Sequence, residues 1–452
     1  MKNKPFLALL LSLALPMLLA VAGCSTARQP ESDDAPSFPY VTPDTTTARP
    51  ETEPPVSEGN TDPAQDSNPV QDGTQPPESQ TQPASEATDA PAESSDPSLP
   101  ASLPEDDPTV HFIGGGDNII YYGNVYEASV RKLPGGRTYN FKTVYSDIQG
   151  LIEDADLAFI NQETLLCSSK FPLSYYPQFC GPQDMGYDLV EMGFDVVNIA
   201  SNHMLDVGAD GLADSIAFWK KQPVTMIGGY EDEADFARIR ITEVKGIRIA
   251  WLAFTYGTNM LTLPEDSPLY IPYINDEDIA AQIASAREQA DLVFVSMHWG
   301  AESVFDPTPE QSRAAQLIAD CGADVIIGHH PHVVGPIRWI LGEGGNKTLC
   351  VYSLGNLMAE MSQDYNMAGG LITFDIVPHE GAKPTIENVL FIPTFFHFDP
   401  AFKVNHIYLY KDYTDELARS HGISYYGNST TLDKLKRYVK NTIHEQFLPD
   451  DF

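Results

Sequence analysis

From residue 109 onward, short apolar runs alternate with stretches of helical periodicity, and this alternation restricts the fold more than any other feature. The runs that we predict to be strands are 110–113, 157–160, 196–200, 247–254, 292–296, 325–327 and 349–353. The segments that we predict to be helices are 184–192, 211–220, 276–289 and 310–321. Strands that alternate with helices are typical of α/β proteins.

Polar residues cluster where these apolar runs end. Most of the ends carry Asp, Glu, Asn or His. In α/β sheets, ligands bind beyond the carboxyl ends of the strands. We therefore predict a functional site at this edge, and its candidate residues are Asp117, Asn161, Glu163, Asn202, His203, Asp206, His298, His329, His330, His332 and Asn356.

The motif GHHPH places three of the chain's 11 histidines in four positions. Pro331 biases His330 toward an extended conformation. Alternate residues of an extended chain share a face, so we expect His330 and His332 to converge and His329 to point elsewhere. Two imidazoles on one face can bind a metal ion. A pair of surface histidines on a turn is the alternative.

Other strand ends supply further candidate ligands. Asp117 follows three glycines that permit a close backbone approach, although alone it could cap a helix. His298 follows a buried apolar run, where a lone histidine is more often a hydrogen-bonded core residue. Asn161 and Glu163 share a face by the same alternation. Asp206 lies three residues after His203 and within its reach.

The candidate ligands provide oxygen and nitrogen atoms and no thiolate. They are Asp117, Glu163, Asn202, His298, His330 and His332. Six ligands are too many for one tetrahedral zinc ion. They suit two divalent ions that share a bridging carboxylate and keep positions for water and substrate. Mn, Fe and Zn are all compatible with this set.

The N-terminal segment resembles an export signal. Lys2 and Lys4 precede an apolar run over residues 6–21, which ends in Val-Ala-Gly before Cys24. This ending resembles a bacterial lipobox. We predict that residues 1–24 are a lipoprotein signal peptide, that Cys24 is lipidated, and that the chain is anchored to the extracellular face of the cell membrane. An ordinary secretory signal beside a cysteine is the alternative.

Residues 25–108 are rich in Pro, Ser, Thr, Asp and Glu and have almost no large apolar side chains. Such a segment cannot offset its chain entropy by burial, so we predict a disordered tether. Its 18 acidic residues face only Arg28 and Arg49, and the whole chain has a net charge of −36. Because phosphate neutralisation needs basic residues, we predict no nucleic-acid partner.

The rest of the chain is predicted to form a main domain over residues 109–400 and a C-terminal helical appendage over residues 401–452. Cys167 and Cys180 could form a disulfide in an exported protein. Cys321 and Cys350 lie at the edges of apolar segments and are more typical of buried thiols. The sequence has no CxxC pair, which disfavours a cysteine zinc site.

Six motifs occur in order and together resemble one family. They are Gly116-Asp117, NQE at 161–163, GFDVVNIASNHMLDVGADG at 193–211, HWG at 298–300, ADVIIGHHPHV at 323–333 and YSLGN at 352–356. Their combination resembles the CapA-like poly-γ-glutamate capsule-synthesis proteins, a branch of the calcineurin-like metallophosphoesterases. The resemblance covers residues 109–394.

The resemblance implies a four-layer α/β/β/α sandwich with a dinuclear metal site at the strand ends. Asp117 and His332 would bind the first ion, and Glu163 would bridge both. The residues implied for the second ion are Asn202, His298 and His330. The residues expected to contact the substrate or support the ligands are Asn161, His329 and Asn356.

The resemblance further implies that His203 faces the substrate as an acid and that Asp206 orients it. One departure weakens the first ion's site: ordinary metallophosphoesterases begin with DxH, but Asn118 and Ile119 follow Asp117. The function implied is phosphoester hydrolysis in the synthesis of capsule or envelope polymers, with a capsule-synthesis membrane complex as a further partner. The alternative is a non-catalytic polymer-handling or export-assembly protein that keeps the fold.

Overall fold

The computed structural model describes residues 107–131 and 137–452. The signal peptide, Cys24 and all but the last two residues of the tether lie outside the described residues. Within the described ranges, no helix has the length and apolar character needed to cross a membrane.

The chain forms mixed helices and strands. The strands are β1 Val110–Asn118, β2 Leu157–Gln162, β3 Leu166–Cys167, β4 Gly181–Pro182, β5 Val196–Asn198, β6 Thr225–Ile227, β7 Arg240–Val244, β8 Ile247–Thr255, β9 Leu292–His298, β10 Val325–His329, β11 Ile337–Leu341, β12 Lys347–Val351, β13 Asn356–Met358, β14 Ala368–His379, β15 Ala382–Phe398 and β16 Asn405–Leu409. The α-helices are α1 Tyr122–Val130, α2 Ser146–Glu153, α3 Gln183–Glu191, α4 Gly208–Trp219, α5 Glu233–Phe236, α6 Asp276–Arg287, α7 Pro309–Asp320, α8 Asp415–Arg419 and α9 Leu432–Thr442.

Two large sheets organise the fold. One has the strand order β16-β15-β14-β1-β2-β5-β6, with β13 paired to β1, and the other has the order β11-β12-β10-β9-β8-β7. The pairs among β1, β2, β5 and β6 are parallel, as are those among β8, β9, β10 and β12. Because parallel strands end at the same edge, the polar residues that follow them are brought together.

The two sheets pack face to face through aromatic side chains. Phe112 of β1 lies 6.3 Å from Trp251 of β8 and 5.8 Å from Phe294 of β9, measured between ring centroids. Phe159 of β2 stacks on Trp251 at 5.7 Å. Rings of this size bury a large apolar area, so this inner layer supplies much of the hydrophobic stabilisation.

Helices cover the outer faces of both sheets. Strand β8 shows the division: Trp251 and its alternate neighbours join the core between the sheets, whereas Leu252 faces helices α6 and α7. Helices α2, α3 and α4 cover the larger sheet, and they contribute Ile148, Leu189 and Ile216 to the larger core. The four-layer α/β/β/α arrangement implied by the resemblance is therefore confirmed.

The predicted helices are present with small shifts at their ends. Helix α7 begins at Pro309 because Thr308 and Gln311 form a capping box around its first turn. Helix α6 begins after Asn275, whose side chain accepts hydrogen bonds from the amides of Glu277 and Asp278.

The C-terminal segment differs from the helical appendage that we expected. It contains helices α8 and α9, but β16 pairs antiparallel with β15 and forms an edge of the larger sheet. A boundary at residue 400 therefore does not separate this segment from the main domain. Cys167 and Cys180 are buried free thiols on neighbouring segments, as is Cys350, whereas Cys321 is only half-buried.

Candidate metal centre

The candidate residues meet at the carboxyl ends of the parallel strands of both sheets. In the larger sheet, Asp117 of β1 pairs with Asn161 of β2 and Asn356 of β13. In the other sheet, His298 ends β9 directly beside His329, which ends β10. The edge predicted from the sequence therefore holds the site candidates together, apart from Cys24, which lies outside the described residues.

Asp117 is buried and held from several sides. Asn161 donates to its Oδ1 at 2.9 Å, and the backbone amide of His330 donates to its Oδ2 at 3.3 Å. Nδ1 of His332 lies 3.0 Å from the same Oδ2. Burial favours the neutral acid, but the imidazoles of His329 and His332 outweigh it and hold the pKa of Asp117 well below its usual range. Asp117 is thus an ionised carboxylate at neutral pH.

Glu163, just after β2, occupies the middle of the site. Its Oε1 lies 3.7 Å from Nε2 of His332, 3.9 Å from Nε2 of His203 and 4.0 Å from Nε2 of His298. Neither carboxylate oxygen has a hydrogen-bond partner among residues 107–131 and 137–452. Burial raises the pKa of Glu163 well above its usual range. A buried carboxylate without partners is costly unless a cation accompanies it.

Asn202, His298 and His330 form a second group of candidate ligands. Oδ1 of Asn202 lies 2.7 Å from Nε2 of His298, and the rings of His298 and His330 are 4.9 Å apart. Burial lowers the pKa of His330 to about 3 and that of His298 well below its usual range. Both rings are therefore neutral, which is the state in which imidazole binds a metal.

His203 follows β5 and is paired with Asp206. Its Nδ1 lies 2.7 Å from Oδ2 of Asp206, which also accepts a hydrogen bond from the amide of Phe179 at 2.6 Å. The ring of Phe179 packs edge-on against that of His203 at 4.8 Å. These contacts fix the imidazole with Nε2 toward Glu163.

The GHHPH segment does not have the extended conformation that we expected. Strand β10 ends at His329, and His330 and His332 have φ angles of 96° and 56°, in the left-handed region. Their rings still lie 5.8 Å apart, so they converge through a turn and not through strand alternation. A positive φ is unusual for histidine and is found mainly where surrounding structure enforces it.

The expectation that His329 points away from the site is wrong. Its ring stacks on Phe159 at 5.7 Å, and its Nδ1 lies 3.5 Å from Oδ1 of Asp117. Asn356 also contacts the site, with its Oδ1 3.1 Å from Nδ1 of His332. Both residues border the candidate ligands.

The side chains fit divalent metal ions. The carboxylates of Asp117 and Glu163 group with an imidazole nitrogen of His332, with ligand atoms that lie within 4.8 Å of one another. Several buried polar atoms of the site have no hydrogen-bond partner in the described part of the chain, including both oxygens of Glu163 and Nδ1 of His330. Buried polar groups are normally paired, so this arrangement favours an ion that the carboxylates and imidazoles share.

Sequence reasoning missed three residues that lie beside the candidate ligands. Asn259 accepts a hydrogen bond from Nδ2 of Asn202 at 3.1 Å, and Tyr256 packs against His330 with ring centroids 4.5 Å apart. Glu302 groups with His330 and His332 on the open side of the site. Both Tyr256 and Glu302 lie in the loops after β8 and β9, and their position just beyond strand ends was the available signal.

Comparisons with known proteins give a family match. The model of the family described as bacterial capsule synthesis protein PGA_cap matches residues 111–361. The PGA biosynthesis protein CapA of Bacillus subtilis (strain 168) is 34% identical over 198 residues, which cover 42% of this chain and 48% of the relative. The capsule biosynthesis protein CapA of Bacillus anthracis is 33% identical over 217 residues, covering 44% and 52%. The chain spans about half the length of these curated relatives.

Solved structures with some likeness to this chain include a 5′-nucleotidase precursor from Thermus thermophilus, with a TM-score of 0.40 and 14% identity over 74% of this chain and 59% of that one. The calcineurin-like phosphoesterase YfkN from Bacillus subtilis has a TM-score of 0.36 and 12% identity over 74% of this chain and 96% of its own.

Proposed function

The chain belongs to the bacterial capsule synthesis protein family PGA_cap, and we propose that it is a metal-dependent phosphoesterase in the synthesis of a capsule or envelope polymer. The observation that carries this proposal is the environment of Glu163. Its buried oxygens lack hydrogen-bond partners within the described residues, and three imidazole nitrogens lie within 4.0 Å of Oε1. A carboxylate in this environment is suited to bridge two cations.

The proposed centre holds two divalent ions, and Mn, Fe and Zn remain compatible with its ligands. The first ion is assigned to Asp117, Glu163 and His332. The residues assigned to the second ion are Glu163, Asn202, His298 and His330. When bound, such ions activate water and stabilise the charge that develops on phosphoryl oxygens.

His203 is proposed to donate a proton to the oxygen that leaves phosphorus. Its Nδ1 is engaged by Asp206 at 2.7 Å, so Nε2, which lies 3.3 Å from Nδ2 of Asn202, is the nitrogen that would face the substrate. Asp206 acts as a positioning residue, and the amide of Phe179 holds Asp206 in turn. A positioned acid of this kind contributes typically roughly 10²- to 10⁴-fold to a rate.

Turnover of a generic phosphodiester by the full chain, first with Mn²⁺ and then with Zn²⁺, tests this proposal. We expect His203→Ala to lower turnover by roughly 10²- to 10⁴-fold while both ions stay bound, because it removes the acid and no ligand. His379→Ala, at the exposed last residue of β14, is the matched control and should keep full turnover. Loss of metal in His203→Ala, or full activity with metal retained, would contradict the assignment.

The proposal includes a location and a polymer. Lipidated Cys24 would anchor the chain at the extracellular face of the bacterial membrane, where residues 25–108 would carry the domain toward the polymer or a capsule-synthesis membrane complex. The net charge of residues 109–452 is about −22, so an acidic polymer would be repelled except where bound metal ions offset the charge.

Replacement of Cys24 tests the anchor. Cys24→Ser removes the thiol that would carry lipid, so we expect the protein to leave the membrane fraction. The circular dichroism of the released protein should match wild type. Cys321→Ser is the matched control, since it removes a half-buried thiol of the folded domain and should leave localisation unchanged. Correctly processed Cys24→Ser protein that remains in the membrane fraction would refute the anchor.

A non-catalytic role in polymer handling or export assembly is the second candidate. One observation favours it: Ile119, two residues after Asp117, is buried against Phe179 and Ala359 and offers no ligand to the first ion. If the wild-type protein holds two ions yet turns over no phosphoester, this candidate becomes the better one.

A further inference from the structure

Glu302 lies at the open side of the metal centre and has no role in the assignments above. Its side chain is exposed, in the loop between β9 and α7. A carboxylate oxygen of Glu302 and ring nitrogens of His330 and His332 all lie within 4.8 Å of one another. Both histidines already belong to the proposed centre, so this carboxylate is within range of the same ions.

The loop that carries Glu302 is fastened to the histidine turn. The amide of Trp299 donates to the carbonyl of His329 at 3.1 Å, and the amide of Ser303 donates to the carbonyl of Pro331 at 2.8 Å. Between them, Gly300 has a φ of 91°, and a Cβ atom there would lie 2.6 Å from the Gln311 side chain. These constraints hold Glu302 beside the histidines although it is exposed.

The two proposed ions have unequal ligand sets. Asp117, Glu163 and His332 serve the first ion, which is one protein ligand fewer than the second ion has. The histidine of the DxH pattern is absent, and Ile119 at its position is buried in an apolar cluster. His332 belongs both to the carboxylate group around the first ion and to the group that contains Glu302. The carboxylate of Glu302 is therefore within range of the ion that has fewer ligands, and the same group also includes His330, which is assigned to the second ion.

We infer that Glu302 is the fourth protein ligand of the first ion and replaces the missing histidine; this rests on the metal centre of the proposed function, but not on phosphoester turnover. A third carboxylate also brings the negative charge of the ligands closer to the positive charge of two divalent ions. Glu302 is exposed whereas Asp117 and Glu163 are buried, so it would be the carboxylate ligand nearest to solvent.

Metal binding by Glu302 variants tests the inference. Full-length protein stripped with EDTA is dialysed against increasing Mn²⁺, and bound metal is measured by mass spectrometry. We expect wild type to bind two ions and Glu302→Gln to bind one of them at least about 10-fold more weakly. Glu310→Gln, the same chemical change at an exposed position in the first turn of α7, should match wild type.

A second variant separates ligation from charge. Glu302→His supplies a neutral nitrogen ligand, so it should bind the weaker ion more tightly than Glu302→Gln does. If Glu302→His and Glu302→Gln weaken binding of this ion equally, Glu302 acts only through its charge and the inference is overturned. Unchanged binding by Glu302→Gln overturns it while the proposed function stands, whereas wild type that binds none of Mn²⁺, Fe²⁺ and Zn²⁺ overturns both. Thermal unfolding of the stripped variants should equal that of wild type, because Glu302 is exposed.

Discussion

Two pairs of buried histidines in this protein have the same spacing and different surroundings. The rings of His298 and His330 lie 4.9 Å apart at the strand ends, and those of His397 and His421 lie 4.9 Å apart near the C-terminal helices. Burial lowers the pKa of both His330 and His397 to about 3. Neither burial nor a lowered pKa therefore distinguishes a metal ligand from a structural histidine.

The partners of the rings make the distinction. Nδ1 of His397 lies 3.0 Å from the hydroxyl of Tyr413. His421 accepts from the amide of Ile423 at 3.1 Å, and its Nε2 lies 3.0 Å from the carbonyl of Phe396. At the strand ends, Nδ1 of both His298 and His330 lacks a partner among the described residues. Both C-terminal rings have hydrogen-bond partners within the protein, whereas the strand-end pair lies beside carboxylate oxygens of Glu163 that have none among the described residues and that a cation would satisfy.

The largest expected effect comes from removing one histidine from each region. His332→Ala removes a proposed ligand, so it should weaken metal binding by more than the roughly 10- to 100-fold that loss of an outer partner costs. His421→Ala should leave metal binding unchanged but lower the free energy of unfolding by about 1–3 kcal/mol, because it leaves a buried amide and carbonyl unpaired. Metal content and urea denaturation of both variants measure this contrast. If His332→Ala and His421→Ala lose metal equally, the two regions do not differ in metal binding and the distinction is wrong.

The sequence predicted the fold where burial was continuous. Apolar runs predicted β8 and β9 within one or two residues, because both strands are buried in the second sheet. The hairpin of β14 and β15 was not predicted. Its outer half is only partly buried, and its pairing depends on a register with shifts near Asp375 and His379 that composition does not reveal.

The sequence predicted which residues form the site but not how they are arranged. The rule that ligands gather at strand ends brought Asp117, Glu163 and His298 into one proposal before any distance was known. The backbone conformation of the residues that follow a strand was harder to predict from the sequence. Pro331 favours an extended His330, yet the chain takes a φ of 96° there. Glu302 was missed for the same reason, since its position depends on how the loop after β9 turns.

The smaller expected effect is a loss of folding stability at acidic pH, and it is measured on the metal-free protein. Burial lowers the pKa of His421 to about 4 and that of His397 to about 3, against about 6.5 in an unfolded chain. As the pH falls below about 6.5, the unfolded chain binds protons that the folded chain does not. The stability from these neutral rings is therefore complete above pH 6.5 and is lost as the pH falls toward 4.

For His421 the loss amounts to about 1.4 kcal/mol for each unit of pKa shift, or on the order of 2–3 kcal/mol across this window. His421→Gln keeps a donor and an acceptor but cannot titrate, so its stability in EDTA should fall less than that of wild type between pH 7 and pH 4.5. Because many other groups titrate in this range, the difference between the two proteins is the quantity to measure. Identical pH dependence would mean that His421 does not couple protons to folding. Added Mn²⁺ should raise the stability of wild type and His421→Gln by the same amount at each pH, since the proposed ions bind at the strand ends and leave the C-terminal pair unchanged.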